Sequence, residues 1–225
     1  MTPRSELKHF INFSDYLAIR NRLKFIASYD TNADKNGEYT VRSLYFENYN
    51  NKVLAEKALG TDHREKYRIR IYNNNPNLIK LEKKIKKDRF TIKFSKEITK
   101  SQCNDLINCS FDFLSHSDTP LFNDFFSKLN NDVLRPRTII EYKRQAFFYP
   151  YGNVRITFDM NIKTALGSVD IFNPKLVLVS SLSQDQIILE VKYDRFLPQI
   201  ISDCIQLNER RQTSASKYAL GRQYI

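Results

Sequence analysis

The residues best suited to chemistry in this chain recur at alternate positions. Lys66, Arg68 and Arg70 alternate with Tyr67, Ile69 and Ile71, while Lys80, Glu82, Lys84 and Lys86 oppose Ile79, Leu81 and Ile85. The same one-sided spacing returns in Arg4, Glu6 and Lys8, in Tyr142 and Arg144, in Arg155, Thr157 and Asp159, and in Glu190 and Lys192. It also returns in Arg89 to Ile98, where Arg89, Thr91, Lys93, Ser95 and Glu97 oppose Phe90, Ile92, Phe94 and Ile98. Guanidinium forks match phosphate oxygens at two points and lysines add movable point charges, so such faces suit a phosphate polyanion. A charged sheet face is ordinarily a solvated face. Here the charge is nearly one-signed, and like charges side by side on a sheet repel unless something anionic lies between them.

Composition points the same way. The chain has 225 residues, 36 Lys+Arg against 25 Asp+Glu, a net charge of +11, 16 Phe and 13 Tyr. This is enough apolar material for one large core, and no Pro/Gly/Ser linker divides it, so a single domain over 1–225 is expected. The excess of positive charge calls for an anionic partner. No signal peptide and no apolar run of membrane-spanning length, roughly 18 residues, is legible. Cys103, Cys109 and Cys204 lack metal-ligand spacing and read as reduced thiols, which fits the cytoplasm. There is no Gly-rich phosphate loop.

The elements that must position these residues follow from periodicity. Strands are predicted from Arg4 to Ile11, Tyr39 to Glu47, both arms of a hairpin between Arg64 and Lys87, Arg89 to Ile98, Leu134 to Phe148, Val154 to Ile162, Lys175 to Ser181 and Ile187 to Tyr193. The hairpin turn is read at Asn73-Asn74-Asn75-Pro76-Asn77. Helices are predicted from an N-cap at Ser14 to about Ala27, from Asn50 to a stop at Gly60, from the capping box Thr99 to Gln102, from Pro120, from Pro198, and at the end behind a cap at Ser214. The apolar stripe Leu121, Phe122, Phe125, Phe126 and Leu129 reads as core rather than as a cofactor pocket. About eight strands with basic inner faces fit either a flat sheet with one wet side or an antiparallel barrel. Eight strands close around space for side chains or one small ligand, with the helices packed outside, an α+β architecture.

R-x-E-x-K at Arg4, S-L-Y-F-E at Ser43, K-Y-R-I-R-x-Y at Lys66, L-E-x-K at Leu81, E-Y-x-R-x-A-F at Glu141, V-R-I-T-F-D at Val154, I-L-E-V-K-Y at Ile188 and S-K-Y at Ser216 together resemble the VTC domain. That is the catalytic domain of vacuolar transporter chaperone polyphosphate polymerases, within the triphosphate tunnel metalloenzymes or CYTH-like superfamily. The resemblance runs from Arg4 to about Gly221. It implies an eight-stranded tunnel that transfers the ATP γ-phosphate to a growing polyphosphate chain with Mn²⁺ or Mg²⁺. Carried over by motif, the catalytic set is Lys8, Arg68, Arg70, Lys84, Lys93, Tyr142, Arg144, Arg155 and Lys217. Arg4, Lys66, Lys192 and Ser216 would contact substrate, and Glu190 would hold the metal, with an ion pair to Lys192 as its bland alternative. Glu6 and Glu82 are weaker metal candidates. Where the eukaryotic polymerases carry a further basic residue, this chain has Ser214.

Three other readings stay open. Tunnel triphosphatases open E-x-E-x-K, and Arg4 here replaces the first Glu; the same fold also serves non-catalytic polyphosphate binding. A nucleic-acid barrel is disfavoured, because the aromatics follow apolar patterns instead of interleaving with the basic face. A membrane-protein partner, recruiting the chain to the inner face of a membrane, is left open.

Overall fold

The computed structural model of the protein describes residues 4–31, 33–87, 90–206 and 210–223. Arg89, the predicted start of a strand, lies outside them. In chain order the elements are β1 (Ser5–Ile11), α1 (Phe13–Leu23), β2 (Ser28–Tyr29), β3 (Glu38–Glu47), α2 (Lys52–Ala58), β4 (His63–Tyr72), β5 (Asn75–Lys87), β6 (Phe90–Ile98), α3 (Lys100–Ile107), α4 (Asp112–Ser115), α5 (Pro120–Asn131), β7 (Arg135–Tyr149), β8 (Val154–Thr164), β9 (Val179–Ser180), β10 (Ile187–Tyr193), α6 (Gln199–Ile205) and α7 (Lys217–Gly221).

Local chemistry explains several of these boundaries. Thr99 and Gln102 form the reciprocal capping box expected at α3. Asn12, not Ser14, caps α1, because its side chain accepts from Asp15 N while Asp15 answers at the Asn12 amide. Likewise Ser216, not Ser214, caps α7, its hydroxyl accepting from Ala219 N. The hairpin turn is tighter than predicted. Asn73 and Asn74 take φ of 51° and 54°, and β5 resumes at Asn75, so Pro76 sits within the strand's first residues. The strand predicted from Lys175 shrinks to β9, and the two-residue β2 was not anticipated.

Eight strands follow one antiparallel path, β1-β10-β8-β7-β3-β4-β5-β6, with β2 on β7 and β9 on β8 as short additions. The two ends of the path meet: Arg4, just before β1, bridges Thr91 of β6. The sheet therefore curls into a barrel joined at one backbone bridge. Strand alternation divides its side chains between inside and outside. Outside, Leu44, Phe46, Ile69, Ile71 and Leu81 pack under Leu106, Phe122, Phe125 and Leu129 of α3 and α5. A second outer patch, Ile156, Phe158, Leu189 and Val191, lies under Tyr16, Ile19 and Leu23 of α1 and Ile201 of α6.

The interior is not uniformly polar. Tyr39, Val41, Tyr45, Ile140, Tyr142, Ile162 and Ile188 form a third buried cluster with Val53 of α2 and Tyr218 of α7. The two helices thereby plug one end of the barrel. Gly221 permits this approach, since a Cβ there would meet Ile140 Cδ1 at 2.0 Å.

Phe125 is fully buried, stacked on Tyr67 with centroids 4.9 Å apart and edge-on to Phe46 at 5.0 Å. Phe125→Ala is expected to cost about 3–5 kcal/mol in denaturant unfolding. Phe25→Ala, at a residue 89% exposed, should change stability by less than about 0.5 kcal/mol.

Candidate functional site

Register sets the inward side chains in rungs. Tyr45, Arg68, Glu82 and Ser95 lie opposite one another across β3, β4, β5 and β6. The neighbouring rung is Lys66, Lys84 and Lys93. On the other wall, Lys8 faces Glu190, which faces Thr157, while Arg144 faces Asp159. These rungs gather most of the basic residues singled out in the sequence into one lumen.

Two carboxylate-centred clusters result. Glu82, 1% exposed, accepts from Arg68 Nε at 2.7 Å, lies 3.6 Å from Arg70 Nη1 and pairs with Lys93. Arg68 Nη1 also donates to Tyr45 Oη at 3.1 Å, and Arg70 donates to Ser43 Oγ at 3.1 Å and Tyr142 Oη at 3.2 Å. In the second cluster Asp159, fully buried, takes a two-point contact from Arg144 at 2.6 and 2.8 Å and an ion pair from Lys217. Glu190 lies 3.2 Å from Lys192 and 3.7 Å from both Lys8 and Arg144. Glu6 lies 3.2 Å from Lys84 Nζ. Tyr142 joins the clusters. Its hydroxyl meets Arg70, and its ring lies 5.3 Å from the Arg144 guanidinium carbon and 4.9 Å from Lys217 Nζ.

Some predicted residues lie at the margins. Arg155 pairs with Asp30 at 2.5 Å and donates to Tyr39 Oη at 2.7 Å, half-exposed at one rim. Arg4 is paired with Asp194 at 2.9 Å and donates to the Asn153 carbonyl, apart from the inner clusters. Lys66 donates to Ser216 Oγ at 3.2 Å beside the α7 plug. A surface cleft bounded by Lys52, Glu56, His63, Glu65, Lys128 and Asp132 lies on the outer face and shares none of these inner bases.

Burial and charge compete at each group. Burial pushes the Glu82 carboxyl up, but Arg68, Arg70 and Lys93 outweigh it and hold it well below the usual carboxylate range. Asp159 is likewise lowered against its burial by Arg144 and Lys217, and Glu190 by Lys192 and Lys8. Burial lowers Lys84, and with Lys8 beside it the ammonium falls to about 7 despite Glu6. Burial also lowers Lys66, which Arg64, Lys8 and Lys57 reinforce, again to about 7.

Glu6 and Glu190 flank the same two ammonium groups, Lys8 at 3.5 and 3.7 Å and Lys192 at 3.6 and 3.2 Å, and among the described residues no group of three His, Cys, Asp or Glu converges on a point. Two carboxylates completed by substrate phosphates suit a small hard cation such as Mg²⁺ or Mn²⁺, so the donor set fits one held jointly with its substrate.

Sequence reasoning placed Asp159 on the inner face but gave it no role. Its alternate spacing from Arg155 inside V-R-I-T-F-D was the available signal. Tyr45 was legible only as an apolar alternation. Glu47 was invisible as a support: buried, it accepts from Val53 N and Leu54 N at the start of α2 and from Tyr218 Oη at 2.8 Å, so it holds both plug helices.

The fold is shared with solved structures of distant sequence. A protein from Hippeastrum described as an adenylyl cyclase with a dominant triphosphatase activity superimposes with a TM-score of 0.55 at 11% identity, over 99% of this chain and 95% of that one. A described adenylate cyclase from Bacillus halodurans matches with a TM-score of 0.48 at 10% identity, over 85% and 82% of the two chains. The sequence matches the VTC domain profile over residues 3–225, and the chain belongs to the VTC domain family. A comparison with curated proteins finds no match. No helix among the described residues is long and apolar enough to cross a membrane.

The lowered Lys66 makes a signed prediction. Its folded value of about 7 lies below the free lysine value of 10.5, so between the two the unfolded chain binds the extra proton. Its penalty on stability is full below about pH 7 and is relieved as pH rises. Denaturant midpoints from about pH 7 to about pH 9.5 should rise for the wild type relative to Lys66→Met. Parallel curves would mean that Lys66 keeps an ordinary lysine pKa.

Proposed function

We propose that the chain is an ATP-dependent polyphosphate polymerase working in the barrel lumen. The observation that carries this reading is the convergence of Arg68, Arg70, Lys84, Lys93, Arg144 and Lys217 on the inner face of the barrel through shared ion pairs, with Lys8 and Lys192 beside them. Phosphoryl transfer asks for charge neutralisation and alignment more than for covalent catalysis. In the proposed step a terminal phosphate oxygen of the chain attacks the γ-phosphorus of ATP, the bond to the β–γ bridging oxygen breaks, and ADP leaves with that oxygen. Arg68 and Arg70, held by Tyr45, Ser43 and Tyr142, would orient the triphosphate. Arg144 and Lys217, held by Asp159, would hold the attacking terminus. Glu190, with Glu6, would hold Mn²⁺ or Mg²⁺, which when bound spreads the charge on the phosphate oxygens.

The alternative is a triphosphate hydrolase, the activity described for the Hippeastrum protein. Electrostatics favours transfer. A general base for water works best with a pKa near the operating pH, whereas Glu82, Asp159 and Glu190 are all held below the usual carboxylate range by cations. A polyphosphate terminus is already anionic and needs no such base. Binding without turnover remains the third outcome to separate. A location where ATP is supplied, the cytoplasm, goes with this reading.

Purified protein with ATP and Mn²⁺ should yield long-chain polymer on a gel and ADP, with little free phosphate. Glu190→Gln should lose turnover yet retain polyphosphate binding. Arg70→Ala should weaken binding and lower the rate by about 100-fold, the usual scale for one lost charge-stabilising donor. Free phosphate without polymer would replace the polymerase with the hydrolase. Binding with no consumption of ATP under either metal would make the chain a receptor.

A further inference from the structure

The bases of the two inner clusters face carboxylates supplied by the fold. A group of cations at the plugged end does not. Arg64 stands directly across from Lys86, and Lys66 from Lys84, two like-charge pairs on one face of the β4–β5 ladder. Lys57 of α2 joins them, and its ammonium is lowered by burial, Arg64, Lys86 and Lys8. Among the described residues, Lys57, Arg64, Lys66 and Lys86 form no ion pair with a carboxylate. Glu47, the acid whose charge reaches Lys66, is taken up by the α2 amides and Tyr218. These cations make do with neutral acceptors. Lys57 Nζ donates to Ser214 Oγ at 2.8 Å, Lys66 Nζ to Ser216 Oγ at 3.2 Å, and Arg64, 7% exposed, to the Glu56 carbonyl at 3.4 Å. Lys8 reaches the Ala215 carbonyl at 3.5 Å, so three lysines grip one short stretch before α7.

Like charges placed opposite on a sheet, partly desolvated and without a counter-ion, cost stability unless an anion joins them. Lys66 also links this group to the lumen, since it belongs to the same rung as Lys84 and Lys93. We propose that Lys57, Arg64 and Lys66 form an anion subsite at the α7 end of the barrel, taking a phosphate of a linear chain that extends beyond the central clusters. Ser214 and Ser216 fill its donors until the chain arrives. The subsite gives the protein a preference for long chains over triphosphate. This rests on the lumen being the polyphosphate site.

Affinities for tripolyphosphate, for long-chain polyphosphate and for orthophosphate, measured by calorimetry on the whole chain, test it. Lys57→Ala should weaken long-chain binding by about tenfold, the loss of one charge-assisted contact, and leave tripolyphosphate within about twofold. Its slope of log K against log salt for the long chain should fall by about one. Lys57→Arg should restore binding. Lys52→Ala, on the same helix but paired with Asp132 at 3.7 Å, should change neither affinity. Equal loss of both ligands, or loss of neither, overturns the subsite while leaving the proposed function standing. So does orthophosphate binding lost in Lys57→Ala with long-chain affinity unchanged, which would make this a free-phosphate site. A wild type that binds neither polyphosphate nor tripolyphosphate overturns the proposed function, and the subsite with it.

Discussion

The buried contact between Asp159 and Arg144, completed by Lys217, is the constraint on which the interior depends. It ties β7 to β8 and both to the plug helix α7. An isolated carboxylate in such a place would be costly, and so would either cation alone. Together they fix the Arg144 guanidinium in one plane, with Tyr142 below it and Glu190 beside it. Glu82 does the same for Arg68 and Arg70 on the opposite wall. The inner bases are therefore pre-positioned by internal acids before any ligand arrives. A ligand's phosphates then compete with those acids for cations whose geometry is already set, which lowers the ordering cost of binding.

Much of this was legible in the sequence because a strand's period of two writes inside and outside directly into the residue order. Lys66, Arg68 and Arg70 could be placed on one face from alternation alone, and the register then set Arg68 beside Glu82. The Thr99–Gln102 box was equally readable, since capping is a local transaction between neighbours. What escaped was non-local. Arg4 looked like a member of the basic face, but its partner Asp194 lies at the far end of the sequence. Glu47 reads as the last residue of a strand, and only the approach of α2 and α7 makes it a support. The misplaced caps at Ser14 and Ser214 have a related cause. Several polar residues stood near each helix start, and backbone geometry at Asn12 and Ser216 decided between them.

The tyrosines inside the barrel combine packing with hydrogen bonding. Tyr45 and Tyr142 bury their rings in the inner cluster and offer hydroxyls to Arg68 and Arg70. The chain thereby fills an eight-stranded interior with rigid groups that still present polar atoms to the lumen. Aliphatic side chains would pack as well but would leave the guanidinium groups short of acceptors.

The strand path also orders events in time. β1 pairs along its whole length with β10, from Ser5 opposite Tyr193 to Ile11 opposite Ile187, and its other edge meets β6 only at Arg4. Of the described strands, β1 has no full-length partner until β10, far along the chain, is in place. The β3–β4–β5–β6 meander and the β7–β8 hairpin join strands close in sequence and can form without it. Barrel closure thus falls late in folding and demands one of the most distant pairings among the described strands. Glu6 and Lys8 enter the lumen with that strand, so the acid and base they contribute arrive last, and a chain stalled before closure would carry the arginines of the inner wall without them.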